Sequence, residues 1–446
     1  MTVGEQFQDE TKGEHERPRG RGTPLEQLER AQRLHTLVEA AGVDPDDPVI
    51  KQVQMLAVLG RSRMVQRVEK GLAQLAAEKL LGERLFPMPK EIPTSGIPLG
   101  TLQNGELLRY PMEELSTGML LVGSPKAGKT TAACQIIQQL QKQGIGALIS
   151  DVRGDYADLA CHVPRCLLIP GEDDRINVLE PPEGVSRDIW RHVVASRLSL
   201  DLGLQTAGQA YCFRVLTLLD EKFDGKGIPC LLDLLEMMDR YTPRRGSSEE
   251  GYHERLLGRV RALVTLAGEH VVGVQRGFRV LDALDQGRLV ILDMRRHDRL
   301  WIEFSLALRL YSLYFKRVIS ANPFQHPLVM IVLDEQRGFI RERPHDINIP
   351  DLDLLFSRSR AINLGFMICE QVPSAVSTAA LTSCRLRLGF NTVPPEQHHV
   401  AKLLGLKPEQ AEELVKLPPG VAIVRWSGSQ APHPFLLAAA KPSWMP

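Results

Sequence analysis

No run of about eighteen apolar residues occurs in this chain, so its sequence predicts no membrane-spanning helix. The N-terminus is charged and shows no apolar core of the kind a secretory signal needs, so no secretion signal is expected. Net charge is missing too: 54 Lys and Arg balance 54 Asp and Glu. The surface as a whole is therefore not a basic trap for nucleic acid. A basic pore or stripe stays open, because net charge says nothing about its distribution. Paired cysteine motifs are also absent. The seven cysteines, at 134, 161, 166, 212, 230, 369 and 384, form no C-x-x-C. An odd, scattered set excludes a disulfide framework and predicts reduced thiols in a cytoplasmic protein. Cys161 and Cys166 stand beside His162, but no second ligand pair follows at zinc spacing. There is no internal repeat and no long low-complexity segment.

What is present is concentrated at residues 123–130, Gly123-Ser124-Pro125-Lys126-Ala127-Gly128-Lys129-Thr130, a full G-x-x-x-x-G-K-[ST] run. Its glycines allow a turn tight enough for successive backbone N–H groups to face phosphate oxygens. Lys129 has the reach for β- and γ-phosphates, and the Thr130 hydroxyl suits Mg²⁺. Met119 to Val122 before the loop reads as a buried strand. Thr131 to Gln141 after it reads as a helix whose positive end faces the phosphates. Residues Gly123 to Thr130, with Thr131, are the predicted nucleotide-binding set, and ATP and Mg²⁺ the predicted cofactors.

Around this loop the chain divides by composition. Residues 1–22 are polar and read as a disordered tail. Residues 23–85 read as a helical module. Thr23-Pro24-Leu25-Glu26 has the form of a helix start, and Met64, Val65, Val68, Leu72, Leu75 and Ala76 recur at helical spacing. Residues 86–98 carry four prolines and read as a linker. Residues 99–446 alternate apolar strands with helices, as a mostly parallel α/β sheet with helices on both faces does. A helical insertion is expected over about 185–285, and Val421 to Trp426 and Pro434 to Ala438 are expected as edge strands.

Ligand-facing groups of such a sheet lie at the carboxyl ends of its strands. Four predicted strands end in polar groups, at Asp151, Asp293, Asp334-Glu335 and Gln371. Asp334 follows a hydrophobic strand and is the predicted acid for Mg²⁺, with Thr130. Glu335, one residue on, is placed to polarise water attacking the γ-phosphate. The Gln371 amide is a predicted sensor of phosphate and water. About two hundred residues separate loop and Asp-Glu pair, which leaves room for extra strands and favours a motor-type ATPase over a small-molecule kinase.

Several segments, in order, resemble the HerA/FtsK superfamily of pumping ATPases, which includes those of conjugation and type IV secretion. Asp151-Val152-Arg153-Gly154-Asp155-Tyr156 is similar to its D-x-x-G-E-Y, with Asp155 in place of Glu. Ile176-Asn177-Val178-Leu179 is similar to its I-N-P-L, with Val178 in place of Pro. Gln371-x-Pro373-Ser374 matches its Q-x-P-S. The resemblance covers roughly residues 96–440 and implies a RecA-like fold. It also implies a homohexameric ring with nucleotides at subunit boundaries, and DNA threaded through the pore. A ring needs an arginine from the neighbouring subunit: Arg360 first, Arg358 second, then Arg385 or Arg387. Pore contacts would come from Arg295, Arg296, Arg337, Arg341 and Arg343. The β-barrel that begins many such proteins and the winged helix that ends others are not evident. Direction and substrate would then come from the ring or from a protein partner at the helical module. The alternatives are an ATPase driving protein secretion or assembly, and an ATP-controlled scaffold that activates a partner.

Overall fold

A computed structural model describes residues 24–41, 43–46, 48–58, 65–73, 85–200, 206–224, 226–319, 326–336, 352–427 and 431–445. The tail at 1–22 and Thr23 lie outside these residues. The chain forms two compact units, Met1–Pro87 and Met88–Pro446. In the first, helices Pro24–Ala41, Pro48–Val58 and 65–73 each turn one apolar face inward. Their buried residues recur three and four apart: Leu34 and Val38; Ile50, Val53 and Ala57; Val65, Val68 and Leu72.

The second unit is built on one eleven-stranded sheet. In chain order its strands are β1 Ile97–Thr101, β2 Leu107–Tyr110, β3 Met119–Val122, β4 Gly146–Asp151, β5 Cys166–Pro170 and β6 Leu289–Asp293. They continue with β7 Val329–Asp334, β8 Leu364–Glu370, β9 Leu386–Gly389, β10 Val421–Trp426 and β11 Phe435–Ala439. Across the sheet they run β2-β1-β11-β10-β9-β3-β8-β7-β4-β6-β5. From β9 to β5 every pairing is parallel, and from β9 back to β2 every pairing is antiparallel.

Strands β3, β4, β7 and β8 are buried at every residue. Continuous apolar runs such as Val329-Met330-Ile331-Val332-Leu333 suit strands covered on both faces. On one face Leu121, Ile149, Val332 and Met367 pack with Ala133, Ile136, Ile137 and Leu140 of the helix Lys129–Lys142. The alternate residues, Leu120, Leu148, Ile331, Leu333 and Phe366, are equally buried on the other face. There Phe356 of the helix Leu352–Arg358 meets Phe366 with ring centroids 4.6 Å apart. Between β5 and β6 the longer elements are the helices Arg187–Leu200, Thr206–Lys222, Leu231–Arg240 and Ser248–Ala267.

Two expectations are corrected. β10 and β11 are not edge strands. β1 pairs antiparallel with β11, Gly100 opposite Ala439, and β2 pairs outside β1, so this hairpin covers them. Ile97 and Pro98, read as the end of a linker, already belong to β1. Among the described residues no helix is long and apolar enough to cross a membrane.

One buried cation fixes the amino-terminal end of the parallel sheet. Arg317, 0% exposed on the helix Arg299–Ile319, donates Nη1 to the carbonyls of Ile362 at 2.8 Å and Asn363 at 2.6 Å. Its Nη2 donates to the Pro327 carbonyl at 2.9 Å and to Asp285 at 3.4 Å. The segments leading into β7 and β8 are thereby tied to one guanidinium. Arg317→Ala removes the donor shared by these acceptors and leaves the buried Ile362 carbonyl without this bond. It is expected to cost about 3–5 kcal/mol in denaturant unfolding, and a loss below about 1 kcal/mol contradicts this anchoring.

Candidate functional site

The strand register builds the site. Val122 of β3 lies opposite Glu370 of β8, and Cys369 lies opposite Asp334 of β7. The carboxyl ends of three neighbouring strands therefore share one row, with β8 in the middle. Two inter-strand spacings, roughly 10 Å, separate the phosphate loop from Asp334, enough for phosphates between them.

The loop after β3 is held from behind. The Gly123 N–H donates to the Glu370 carbonyl at 3.2 Å, the Ser124 N–H to Asn391 at 2.7 Å, and the Gly420 N–H to Ala127 at 2.9 Å. Gly128 has φ 111°, and a Cβ there would stand 2.9 Å from the Gly420 nitrogen, so only glycine fits. Pro125 and Lys126 are exposed, and Ser124, Thr130 and Thr131 are half-buried on the first turn of the helix or just before it. Lys129 is 6% exposed; its Nζ donates to the carbonyls of Gly123 at 2.8 Å and Ser124 at 2.9 Å. Burial pushes its pKa down, while Cys369, Asp334 and Glu335 act to raise it. The ammonium is thus a buried charge held by two neutral acceptors, ready to exchange them for an anion.

Asp334, 7% exposed, accepts the Tyr156 hydroxyl at 2.7 Å. Burial pushes its pKa up to about 6, against the hydrogen bond from Tyr156, and Glu335 raises it further. Glu335 follows at φ 54°, outside the strand. Its Oε1 accepts Arg153 Nη1 at 2.5 Å and also the Gln371 amide. Lys129, Asp334, Glu335 and Gln371 are thus brought together.

Arg153 and Tyr156 were not among the predicted site residues, although they lie in the quoted D-x-x-G-D-Y run. A tyrosine in an otherwise polar turn was the available signal, since its hydroxyl needs a partner when buried. The other strand-end acids have structural partners. Asp151 accepts the backbone N–H groups of Arg153, Gly154, Asp155 and Tyr156 at 2.7–3.2 Å and so shapes that turn. Asp293 is bound by Arg295 through two bonds, at 2.9 and 2.7 Å.

Arg360 is exposed in the turn Ser359–Ile362, ahead of β8 and away from the site row. Arg358 donates to the Tyr314 hydroxyl at 3.1 Å. Arg385 is half exposed, 3.8 Å from Glu114. Arg387 donates Nε, Nη1 and Nη2 to the carbonyls of Cys384, Leu403 and Leu381, which ties the guanidinium to its own chain. Of the predicted pore residues, Arg295 and Arg296 follow β6, whereas Arg337, Arg341 and Arg343 lie outside the described residues.

The donor set fits Mg²⁺ and a nucleotide. Thr130 and Asp334 offer hard oxygens, and a magnesium ion takes few protein ligands beside phosphate oxygens. Glycines bound the loop at 123 and 128, both at positive φ, and the loop leads directly into the N-terminus of the helix Lys129–Lys142, a position that favours an anion.

Asp334 also sets a pH dependence. Its folded pKa of about 6 lies above the ordinary carboxylate value near 3.9, so the folded state prefers the protonated form. Stability is therefore highest below the unfolded value and falls as pH rises through about 6. Asp334→Asn is expected to stabilise the nucleotide-free protein at pH 8 by about 2–3 kcal/mol, and by little at pH 4.5. Unfolding curves at the two pH values check this, and an equal gain at both would contradict it.

Comparison with known proteins agrees with this geometry. Residues 104–171, from β2 to β5, match the family model described as the type IV secretion-system coupling protein DNA-binding domain. The fold is similar to VirB4 of Thermoanaerobacter pseudethanolicus, at 15% identity and a TM-score of 0.59, covering 79% of this chain and 98% of that one. It is also similar to the bacterial conjugative coupling protein TrwB lacking its first 70 residues, at 13% identity and TM-score 0.58, covering 82% and 93%. TrwB in complex with ADP and Mg²⁺ matches at 12% identity and TM-score 0.58, with the same coverage. No curated protein matches by sequence. The phosphate loop, the strand order and this likeness together show the fold, the mostly parallel RecA-like sheet of a P-loop NTPase.

Proposed function

We propose that this chain is an ATP- and Mg²⁺-dependent motor that moves DNA, working as a ring with nucleotides at its subunit boundaries. The observation that carries the reading is the convergence of Lys129, Asp334 and Glu335 on one row of strand ends. Lys129 and the loop N–H groups bind the phosphates, and Thr130 and Asp334 hold the metal. When bound, Mg²⁺ neutralises phosphate charge. Glu335 orients and deprotonates the attacking water, and Gln371, on the intervening strand, contacts water and phosphate. The TrwB structures with ADP and Mg²⁺ and with the ATP analogue ADPNP support this choice of ligands.

Arg360 suits a role in trans. It lies ahead of β8, whose seven residues span roughly 23 Å, too far for it to reach a phosphate in its own subunit. DNA as the substrate follows from the likeness to the coupling proteins, and the ring would supply the basic pore that zero net charge does not exclude. Zero net charge also suits the alternative, an ATPase powering protein secretion or assembly, or a scaffold with a partner at residues 23–85.

Steady-state ATP hydrolysis with and without single- and double-stranded DNA, with Lys129→Ala as the blank, tests this. DNA is expected to stimulate the rate several-fold, and the blank to abolish it. Lys129-dependent hydrolysis indifferent to DNA would overturn the DNA-motor reading and favour the alternative.

A further inference from the structure

We infer that Arg153 senses the γ-phosphate from within its own subunit and that Glu335 holds it while no triphosphate is bound, an assignment that rests on the ATP-site reading above. A single oxygen of Glu335, Oε1, accepts both Arg153 Nη1 at 2.5 Å and the Gln371 amide. In that state both lone pairs of Oε1 are engaged, and this oxygen is a poor acceptor for a proton from water. The backbone holds it there, since Glu335 occupies the left-handed region at φ 54° and its N–H donates to the Cys369 carbonyl at 3.0 Å.

The Arg153 turn is equally fixed. The Asp151 carboxylate accepts four successive N–H groups, and the Arg295 side chain packs over Gly154 where a Cβ would meet its Cδ at 2.6 Å. The guanidinium itself is half exposed and is steadied on its other side by Asp155, 3.3 Å from Nε. The carboxylate that it holds belongs to the residue next to Asp334, so the fork lies beside the row of strand ends.

A fixed turn therefore presents a half-exposed guanidinium fork to exchangeable acceptors. Glu335 offers one negative charge, whereas a γ-phosphate offers more charge and three acceptor oxygens, and guanidinium pairs with it through two parallel bonds. With a triphosphate in the loop, Arg153 and Gln371 exchange Glu335 for the phosphate. The freed Oε1 then faces the attacking water. A diphosphate offers no γ-oxygens, so Arg153 stays on Glu335. Arg153 thus makes the subunit tell ATP from ADP and links that discrimination to release of its base.

Calorimetric titration of the full chain with Mg²⁺ and either ADPNP or ADP tests this. Arg153→Ala is expected to weaken ADPNP about ten-fold or more while leaving ADP within about two-fold. Arg153→Lys, which keeps the charge without the fork, should recover part of the loss. Glu335→Gln should tighten ADPNP by removing the competing charge, and this gain should vanish in the Arg153→Ala background. Equal weakening of both nucleotides by Arg153→Ala, or no weakening of either, would overturn the assignment. If the unaltered chain binds neither nucleotide, the ATP-site reading fails and this assignment fails with it.

Discussion

Strands β3, β8, β7 and β4 are buried at every residue, so their backbone N–H and C=O groups are satisfied by neighbouring strands of the sheet rather than by water. That constraint fixes a parallel register, and the register decides where chemistry is possible. Every strand from β9 to β5 delivers its carboxyl end to the same edge, so the loop after β3, the acids at the end of β7 and the glutamine after β8 meet without any dedicated connection. A slip of one residue along β7 would turn Asp334 to the opposite face of the sheet, away from Tyr156. The stability of the site is in this sense the stability of the sheet, and the buried Arg317 at the opposite ends of the strands serves the same register.

Inside the row, burial rather than attraction sets the character of the charges. Lys129 and Asp334 are both taken out of water, and both pKa values move toward the neutral form. Each is held by uncharged partners, carbonyls for the lysine and a phenol for the aspartate. Such an arrangement stays poised, because a phosphate and a divalent cation supply the charges that these two groups lack. Glu335 is different. It sits further out and pairs with a guanidinium and an amide, partners that can leave.

The parts legible in the sequence are those where chemistry and local pattern coincide. The phosphate loop is read from glycine spacing and one lysine, and β7 from an unbroken apolar run that ends in two acids. β9 was not legible. It is four residues long and interrupted by Arg387, whose guanidinium serves backbone carbonyls. β10 and β11 were legible as strands but not as interior ones, because their neighbour β1 comes from the other end of the domain. Asp151 looked like a ligand and proves to cap a turn, since a strand-end acid reads the same in either role. The Tyr156–Asp334 bond joins residues 178 positions apart, and only the fold brings them together. Arg153 belongs to the same class: its partner is fixed by the adjacency of β4 and β7, which no local pattern encodes.

The central claim is that the row of strand ends is a magnesium–nucleotide site in which Lys129 gives up the loop carbonyls. An experimental structure of the chain with Mg²⁺ and ADPNP tests it most directly. The account predicts the Lys129 ammonium on phosphate oxygens instead of Gly123 and Ser124, and the metal between Thr130 and Asp334. A nucleotide bound elsewhere, or one in the loop with Lys129 still on those two carbonyls, would contradict it.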